Sequence, residues 1–321
     1  MSIKKRGFVM KKIALCFSVF AAISLIGPVA FLKPDNKAVI PQKSETVIRK
    51  SEGDNSFRVK LADGKTVVVS SKDYIVGCLA GEMPVEFEKE ALKAQGVAAY
   101  TFALYKKSIS DNDFDITADY TVDQCYLTVD EQKSKWGEDF EKNREYFEEI
   151  ARSVEGEWLS FENKPALSVY HSVSSGATYS AKEVWGEDIP YLRPVDSSSD
   201  KLDKNYKNTV ELSVPDFNAL VGSEDKNKTP SIEVKHSESG RVYKVVVNSK
   251  AQSVDEFVKK TGLVSINFEC QIKDNKVLLI SYGKGHGVGM SQCGANAMAK
   301  SGSTYKEILH HYYSGCSIKK N

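Results

Sequence analysis

The chain has 321 residues, 41% hydrophobic and 27% charged, an ordinary globular composition with ample apolar material for a core. Its net charge of +1 hides an asymmetry. Residues 1–33 carry six basic side chains and no acid, which leaves 38 basic and 43 acidic residues in the remainder. A slightly acidic body argues against a nucleic-acid partner, and six cysteines without CxxC or regular spacing argue against a disulfide framework.

Ile13 to Leu32 is uncharged for 20 residues and follows basic residues, the pattern of a membrane-spanning helix with a cytoplasmic N-terminus. A cleaved signal peptide is the competing reading, but Ala30-Phe-Leu-Lys33 is a poor small-residue cleavage site. Residues 1–33 are therefore expected to be tail and anchor, 34–56 a polar tether, and 57–321 an exported domain on the outer face of the membrane. Phe57–Leu61, the turn Ala62–Lys65 and Thr66–Val69 read as a hairpin. A helix is expected over about 72–80, capped by Ser71 and stopped by Gly81, and Pro84 is placed to open the next, with Leu92, Gln95, Ala99 and Phe102 on one face. Trp136, Phe140, Phe147, Ile150 and Val154 predict one more long helix ending at Gly156. From Trp158 the texture turns to strands: 158–161, 166–170, 242–247 and 276–280. Ser253 and Thr304 open two short helices, and 196–208 and 222–230 are polar loops. The fold class is α+β, with a helical part over about 71–156 and a β-rich part over about 157–321.

Three segments carry possible chemistry. Glu82, in Gly81-Glu-Met-Pro84, is the only acid between Asp73 and Glu86, and its neighbours are apolar or glycine. Such surroundings resist ionisation and suit a general acid, although an exposed turn residue would look the same. Tyr170-His-Ser-Val-Ser-Ser-Gly176 ends a strand in small hydroxyl residues with His171 at the junction. In Gly283–Gly294, glycines 283, 285, 287 and 289 alternate, which no ordinary strand tolerates, and close backbone approach is implied. The segment misses the phosphate-loop, dinucleotide and serine-elbow patterns, which leaves a polar loop presenting His286 and Gln292. There is no HExxH, the adjacent His310 and His311 point to different helix faces, and no metal or other cofactor is expected.

Together these segments resemble the stage II sporulation protein D (SpoIID) family, whose domain is shared with the LytB amidase-enhancer proteins. The resemblance rests on Asp73–Gly77, Gly81–Pro84, Glu90–Thr101, the His171–Gly176 loop with Glu183–Gly186, Tyr191–Arg193 and Gly285–Gln292, with Tyr305–Tyr313 as the closing helix. It spans about 70–321. Each motif is weak alone, but their order is specific. The resemblance implies a lytic transglycosylase acting on peptidoglycan glycan strands stripped of stem peptides during engulfment, beside a cell-wall amidase and a polytopic membrane protein. The family's catalytic glutamate falls on Glu82. Gln95, His171, Ser175, His286, Ser291 and Gln292 are expected to line the cleft, binding sugar or orienting the acid. Some members hold zinc with a Cys/His cluster just before a Gln-x-Tyr. Here Gln124-Cys-Tyr126 has Cys125 but neither the histidine nor a second cysteine, so no zinc is expected. The family's Ser-Gly-Gly reads Ser175-Gly-Ala177, and Tyr100 stands where an arginine is usual. The alternative is a non-catalytic glycan-binding stimulator of a partner amidase.

Overall fold

The computed structural model describes residues 56–320. The expected anchor over Ile13–Leu32 and nearly all of the tether lie outside these residues. Among the described residues no helix is long and apolar enough to cross a membrane.

The chain opens with the hairpin β1 (Ser56–Lys60) and β2 (Thr66–Ser70), antiparallel with Phe57 opposite Val69. Helix α1 (Ser71–Glu82) follows at once, capped by the Ser70 hydroxyl, which accepts the Asp73 amide. Residues 74–81 of α1 are all buried, so the helix lies inside the molecule and has no apolar face to betray its period. Gly81 does not stop it, contrary to the sequence reading, and Glu82 is its last residue. Pro84 does not open the next helix either. Residues 83–88 form a strap whose far end is held where the Glu88 amide donates to Asn296. Helix α2 (Lys89–Ile109) then runs through the centre of the molecule, buried around much of its girth. Its Ala91, Ala94, Gly96, Ala98, Ala99 and Ala103 give it a thin profile, so that other elements approach closely on several sides.

β3 (Ile116–Thr117) adds to β1 in parallel. The single long helix expected next is two: α3 (Val129–Trp136), opened by a Thr128–Glu131 capping box, and α4 (Phe140–Ser153), joined by a 3-10 turn. The break falls at Gly137, whose φ of 55° no helix accommodates. The aromatic contact of Trp136 with Phe147, at 5.6 Å, preserves the shared face.

β4 (Glu157–Phe161) pairs with β5 (Lys164–Pro165) through a two-residue turn. β6 (Tyr170–His171) is much shorter than the strand expected over 166–170. A one-turn helix α5 (Ala181–Trp185) and a 3-10 turn at Ser198–Leu202 lead to an excursion of two small sheets: β7 (Lys207–Ser213), α6 (Val214–Leu220), β8 (Ile232–His236), β9 (Val242–Val247), β10 (Lys250–Gln252), α7 (Val254–Thr261), β11 (Phe268–Lys273) and β12 (Lys276–Tyr282). The strand orders are β11-β12-β7 and β10-β9-β8, with Phe217, Phe257 and Phe268 packed together at the centre. Three hairpins turn on residue pairs with positive φ, Glu162-Asn163, Asn248-Ser249 and Asp274-Asn275, the backbone that matches strand twist in two-residue turns. The excursion closes where the Gly283 amide donates to Tyr206, 2.7 Å apart.

After the glycine-rich loop, β13 (Met290–Ser291) pairs in parallel with β6, and α8 (Gln292–Lys300), α9 (Tyr305–Tyr312) and β14 (Ser317–Lys320) finish the fold, with β14 antiparallel to β4. Thr304 and Glu307 form the expected capping box on α9. The described structure is thus a mixed α+β fold, and α2 is the member that α1, α4, α8, α9 and β4 share.

The close approach implied by the alternating glycines is to the chain itself. A Cβ on Gly283 would meet the backbone of Val173 to Ser175, one on Gly287 the Tyr179 ring, and one on Gly289 the Val169 carbonyl. Gly289→Ala would add a left-handed strain to a collision with backbone, and it should lower stability by about 2–5 kcal/mol. Chemical denaturation followed by circular dichroism checks this, and a variant as stable as the parent would rule out the tight contact.

Candidate active site

Glu82 is positioned by two glycines that precede it. A Cβ on Gly77 would overlap the Tyr126 ring, and one on Gly81 would lie 2.6 Å from the Cys125 sulfur. Glycine inside a helix costs about 1 kcal/mol against alanine, and here it lets residues 124–127 lie directly on α1. The Leu127 amide donates to the Gly77 carbonyl at 3.1 Å, the Tyr126 ring stacks on Tyr74 at 5.6 Å, and the Cys125 amide donates to the Glu82 carboxylate at 2.7 Å. Asp123 fastens the same segment from behind, accepting the Thr117 amide and pairing with the buried Lys106 ammonium at 2.7 Å.

The Glu82 carboxyl lies at the C-terminal end of α1, where the helix dipole disfavours a negative charge. Burial is the dominant influence and lifts it to about 7, while the Cys125 amide, the Gln292 side chain, the Tyr170 hydroxyl and the Lys135 charge pull it down. Lys135 reaches across from α3, its ammonium on the Ala80 carbonyl at 2.5 Å. Tyr170 is also within hydrogen-bonding reach of the carboxyl. Glu82 as a residue is half-buried, enclosed enough to hold a proton near neutrality and open enough to pass it on.

Of the residues singled out from sequence, Gln292 and Gln95 join Glu82. Gln292 touches the acid, and its amide nitrogen faces the Gln95 oxygen at 3.4 Å. Gln95 is fully buried, with an amide nitrogen that has no partner among the described residues. His171 and His286 instead keep to each other, with ring centroids 5.7 Å apart, and Trp185 packs on His286. His286 Nδ1 accepts the Val288 amide while its ring also meets the Tyr170 backbone, and His171 Nδ1 lies 3.2 Å from the Val288 carbonyl. Burial lowers His171 to about 3 and His286 to about 4, so both rings are neutral at physiological pH and neither is poised as an acid. Ser291 caps α8, accepting the Gly294 amide, and Ser175 bonds the Tyr179 hydroxyl at 2.8 Å. His311 meets the Asp196 carbonyl at 2.7 Å and His310 is exposed. None of the five cysteines among the described residues forms a disulfide, and Cys78, Cys125 and Cys316 are buried.

This geometry coincides with what sequence comparison finds. Residues 63–160, which include Glu82 and the Gln124–Leu127 segment, match the profile of the stage II sporulation protein family. Stage II sporulation protein D of Bacillus amyloliquefaciens is 34% identical over 254 residues, 78% of this chain and 74% of that protein. Its counterpart in Bacillus subtilis is 30% identical over 332 aligned positions, covering 97% of this chain and 96% of that protein. The chain belongs to the stage II sporulation protein D family. The amidase enhancer of Bacillus subtilis is also similar, 28% identical over 297 residues, but the match covers only 40% of that protein.

Sequence reasoning about this family member missed Tyr170, Gln124 and Lys135. Tyr170 was in view beside His171, but alternation along a strand sends neighbours to opposite faces, and it is the tyrosine that faces Glu82. Lys135 carries no local signal, and Gln124 stands in the Gln-x-Tyr pattern without any sign there of its bond to Tyr170; packing against α1 places both.

A carboxyl whose pKa is higher in the folded state than in the unfolded state weakens the fold as pH rises between the two values. Below about 4.5 both states are protonated, and above about 7 the penalty is complete. Glu82→Gln, which imitates the neutral acid, should therefore be more stable than the parent by about 2–3 kcal/mol at pH 8 and equal to it at pH 4. Urea unfolding at the two pH values tests this, and equal stability at pH 8 would contradict a strongly raised carboxyl.

Proposed function

We propose that this protein is a peptidoglycan lytic transglycosylase that cuts glycan strands, preferably those stripped of stem peptides, during engulfment in sporulation. The observation that carries the reading is one half-buried carboxyl lifted to about 7 whose bonded neighbours are an amide, a glutamine and a phenol. A hydrolase working by two carboxylates needs a second acid at a set distance to activate water or attack the sugar. A lytic transglycosylase does not, because the muramyl 6-hydroxyl is the internal nucleophile. Protonated Glu82 gives its proton to the bridging oxygen as the bond to muramyl C1 breaks. The resulting carboxylate takes the proton of the 6-hydroxyl as that oxygen bonds to C1, which leaves a 1,6-anhydromuramyl end and returns Glu82 to its starting state. Gln292 and Gln95 would orient the acid or the sugar.

The apolar stretch over 13–32 fits a single-pass anchor with the domain of 57–321 outside the cell, where this substrate lies. Likeness to an amidase enhancer supports a working link to an amidase and also favours a second reading, a glycan-binding stimulator without catalysis. A polytopic membrane protein of the engulfment machinery is the other proposed partner.

Purified full-length protein in detergent, incubated with peptide-free glycan strands and with intact peptidoglycan, should release anhydro-ended saccharides from the former, read by mass spectrometry. Glu82→Gln should lower the rate at least about 100-fold. Because the bond-breaking step needs the protonated acid, kcat/KM should fall as pH rises past about 7. Reducing ends would indicate hydrolysis, and binding without products would favour the stimulator.

A further inference from the structure

The last turn of α1 has a carbonyl that proline leaves without a helical partner. The Leu79 carbonyl keeps its partner, the Met83 amide at 3.0 Å, but the residue due to the Ala80 carbonyl is Pro84, which has no N–H to give. Lys135 takes that place from α3, its ammonium 2.5 Å from the Ala80 oxygen. An ammonium has three N–H groups, and this bond uses one. Lys135 is exposed as a residue, yet burial lowers the pKa of its ammonium, so the charged end lies against the protein and has lost part of its water. Among the described residues it forms no ion pair. Glu82 and Glu86 are the carboxylates that act on it, both from longer range. A partly desolvated cation with donors to spare is thus fixed on the turn of helix that ends in Glu82.

The proposed substrate offers one kind of charged group to such a cation. The stem peptide hangs by an amide bond from the lactyl ether on muramyl O3. Its removal leaves a carboxylate, on the same ring whose C1 is released when Glu82 gives its proton to the bridging oxygen. We propose that the Lys135 ammonium is a substrate-binding group that takes the free lactyl carboxylate of a stripped muramyl residue, and so makes the site prefer strands that have lost their stem peptides. The proposal rests on the transglycosylase reading for the ring placed at Glu82, and it adds the group that reads the state of that ring. An intact stem peptide presents a neutral amide at the same place and gives the cation no counter-charge. The bond to Ala80 holds the ammonium in position beforehand, so little side-chain freedom is lost when the carboxylate arrives. Once Glu82 has given up its proton, Lys135 offsets two negative charges, that of Glu82 and that of the substrate.

Binding can be measured apart from cleavage. Full-length Glu82→Gln protein in detergent would be titrated by calorimetry with peptide-free glycan strands. The same strands would be tested after carbodiimide coupling of methylamine to their lactyl carboxyls, which leaves neutral amides. The strands with free carboxylates should bind about 10-fold more tightly. Adding Lys135→Gln, whose amide can still donate to the Ala80 carbonyl, should remove that difference by weakening the carboxylate strands alone. Lys135→Arg should keep it. A lysine with a merely structural part would, when replaced, weaken both strands equally. Equal affinity for the two strands in the Glu82→Gln protein, or a preference that survives Lys135→Gln at an unchanged melting temperature, would overturn the assignment. Because the titration needs no cleavage, a preference that depends on Lys135 in a protein whose parent releases no anhydro ends would leave the lactyl site assigned and sink the transglycosylase reading instead.

Discussion

Everything at the site depends on how closely residues 124–127 lie on α1. Two glycines on one side of a buried helix remove the side chains that would hold the segment off, and a main-chain amide then lands on the Glu82 carboxylate at 2.7 Å. Lengthening that contact by the width of a methyl group would separate the amide from the acid and shift Gln124 away from Tyr170. The fastenings behind it have the same purpose. The buried Lys106–Asp123 pair, the Tyr126–Tyr74 stack and the Leu127–Gly77 bond all set the position of one short stretch of backbone. A buried ion pair is a doubtful source of net stability, and here its evident effect is to fix geometry.

The site divides its electrostatic labour between two sides of β6. On one side a single acid is kept near neutrality by burial and by a helix C-terminus, against the pull of its hydrogen bonds. On the other, two histidines that would ordinarily titrate in the same pH range are driven well below it by burial, with His286 adding to the effect on His171. Glu82 is thus the group at this site whose charge changes around pH 7, which suits a carboxyl that must act as acid and base in turn.

Much of the local structure was legible in the sequence. The β1–β2 hairpin, the capped helix opened by Thr304 and the isolation of Glu82 among apolar neighbours all follow from short-range rules, and all are present. The errors have a common cause. Gly81 and Pro84 were read for what they do to their own backbone, whereas Gly81 answers to Cys125 across the fold, and the strap after Pro84 is held by Asn296. The break at Gly137 went unseen because the apolar face continues on both sides of it. His171 and His286 attracted attention by residue type, yet they form a neutral pair in the core, and Tyr170 and Gln124 owe their importance to partners distant in sequence.

The pairing of β6 with β13 is only two residues long, Tyr170 opposite Met290 and Ser291 opposite His171. So short a ladder has little intrinsic preference for one alignment, and a slip by a single residue would invert its parity, turning imidazole toward Glu82 and phenol toward Trp185. The fit of Gly289 on the Val169 carbonyl removes that freedom. The glycine loop therefore acts as an indexing stop, and the identity of the group that faces the acid is decided by where a bare Cα meets a carbonyl one step before the ladder begins.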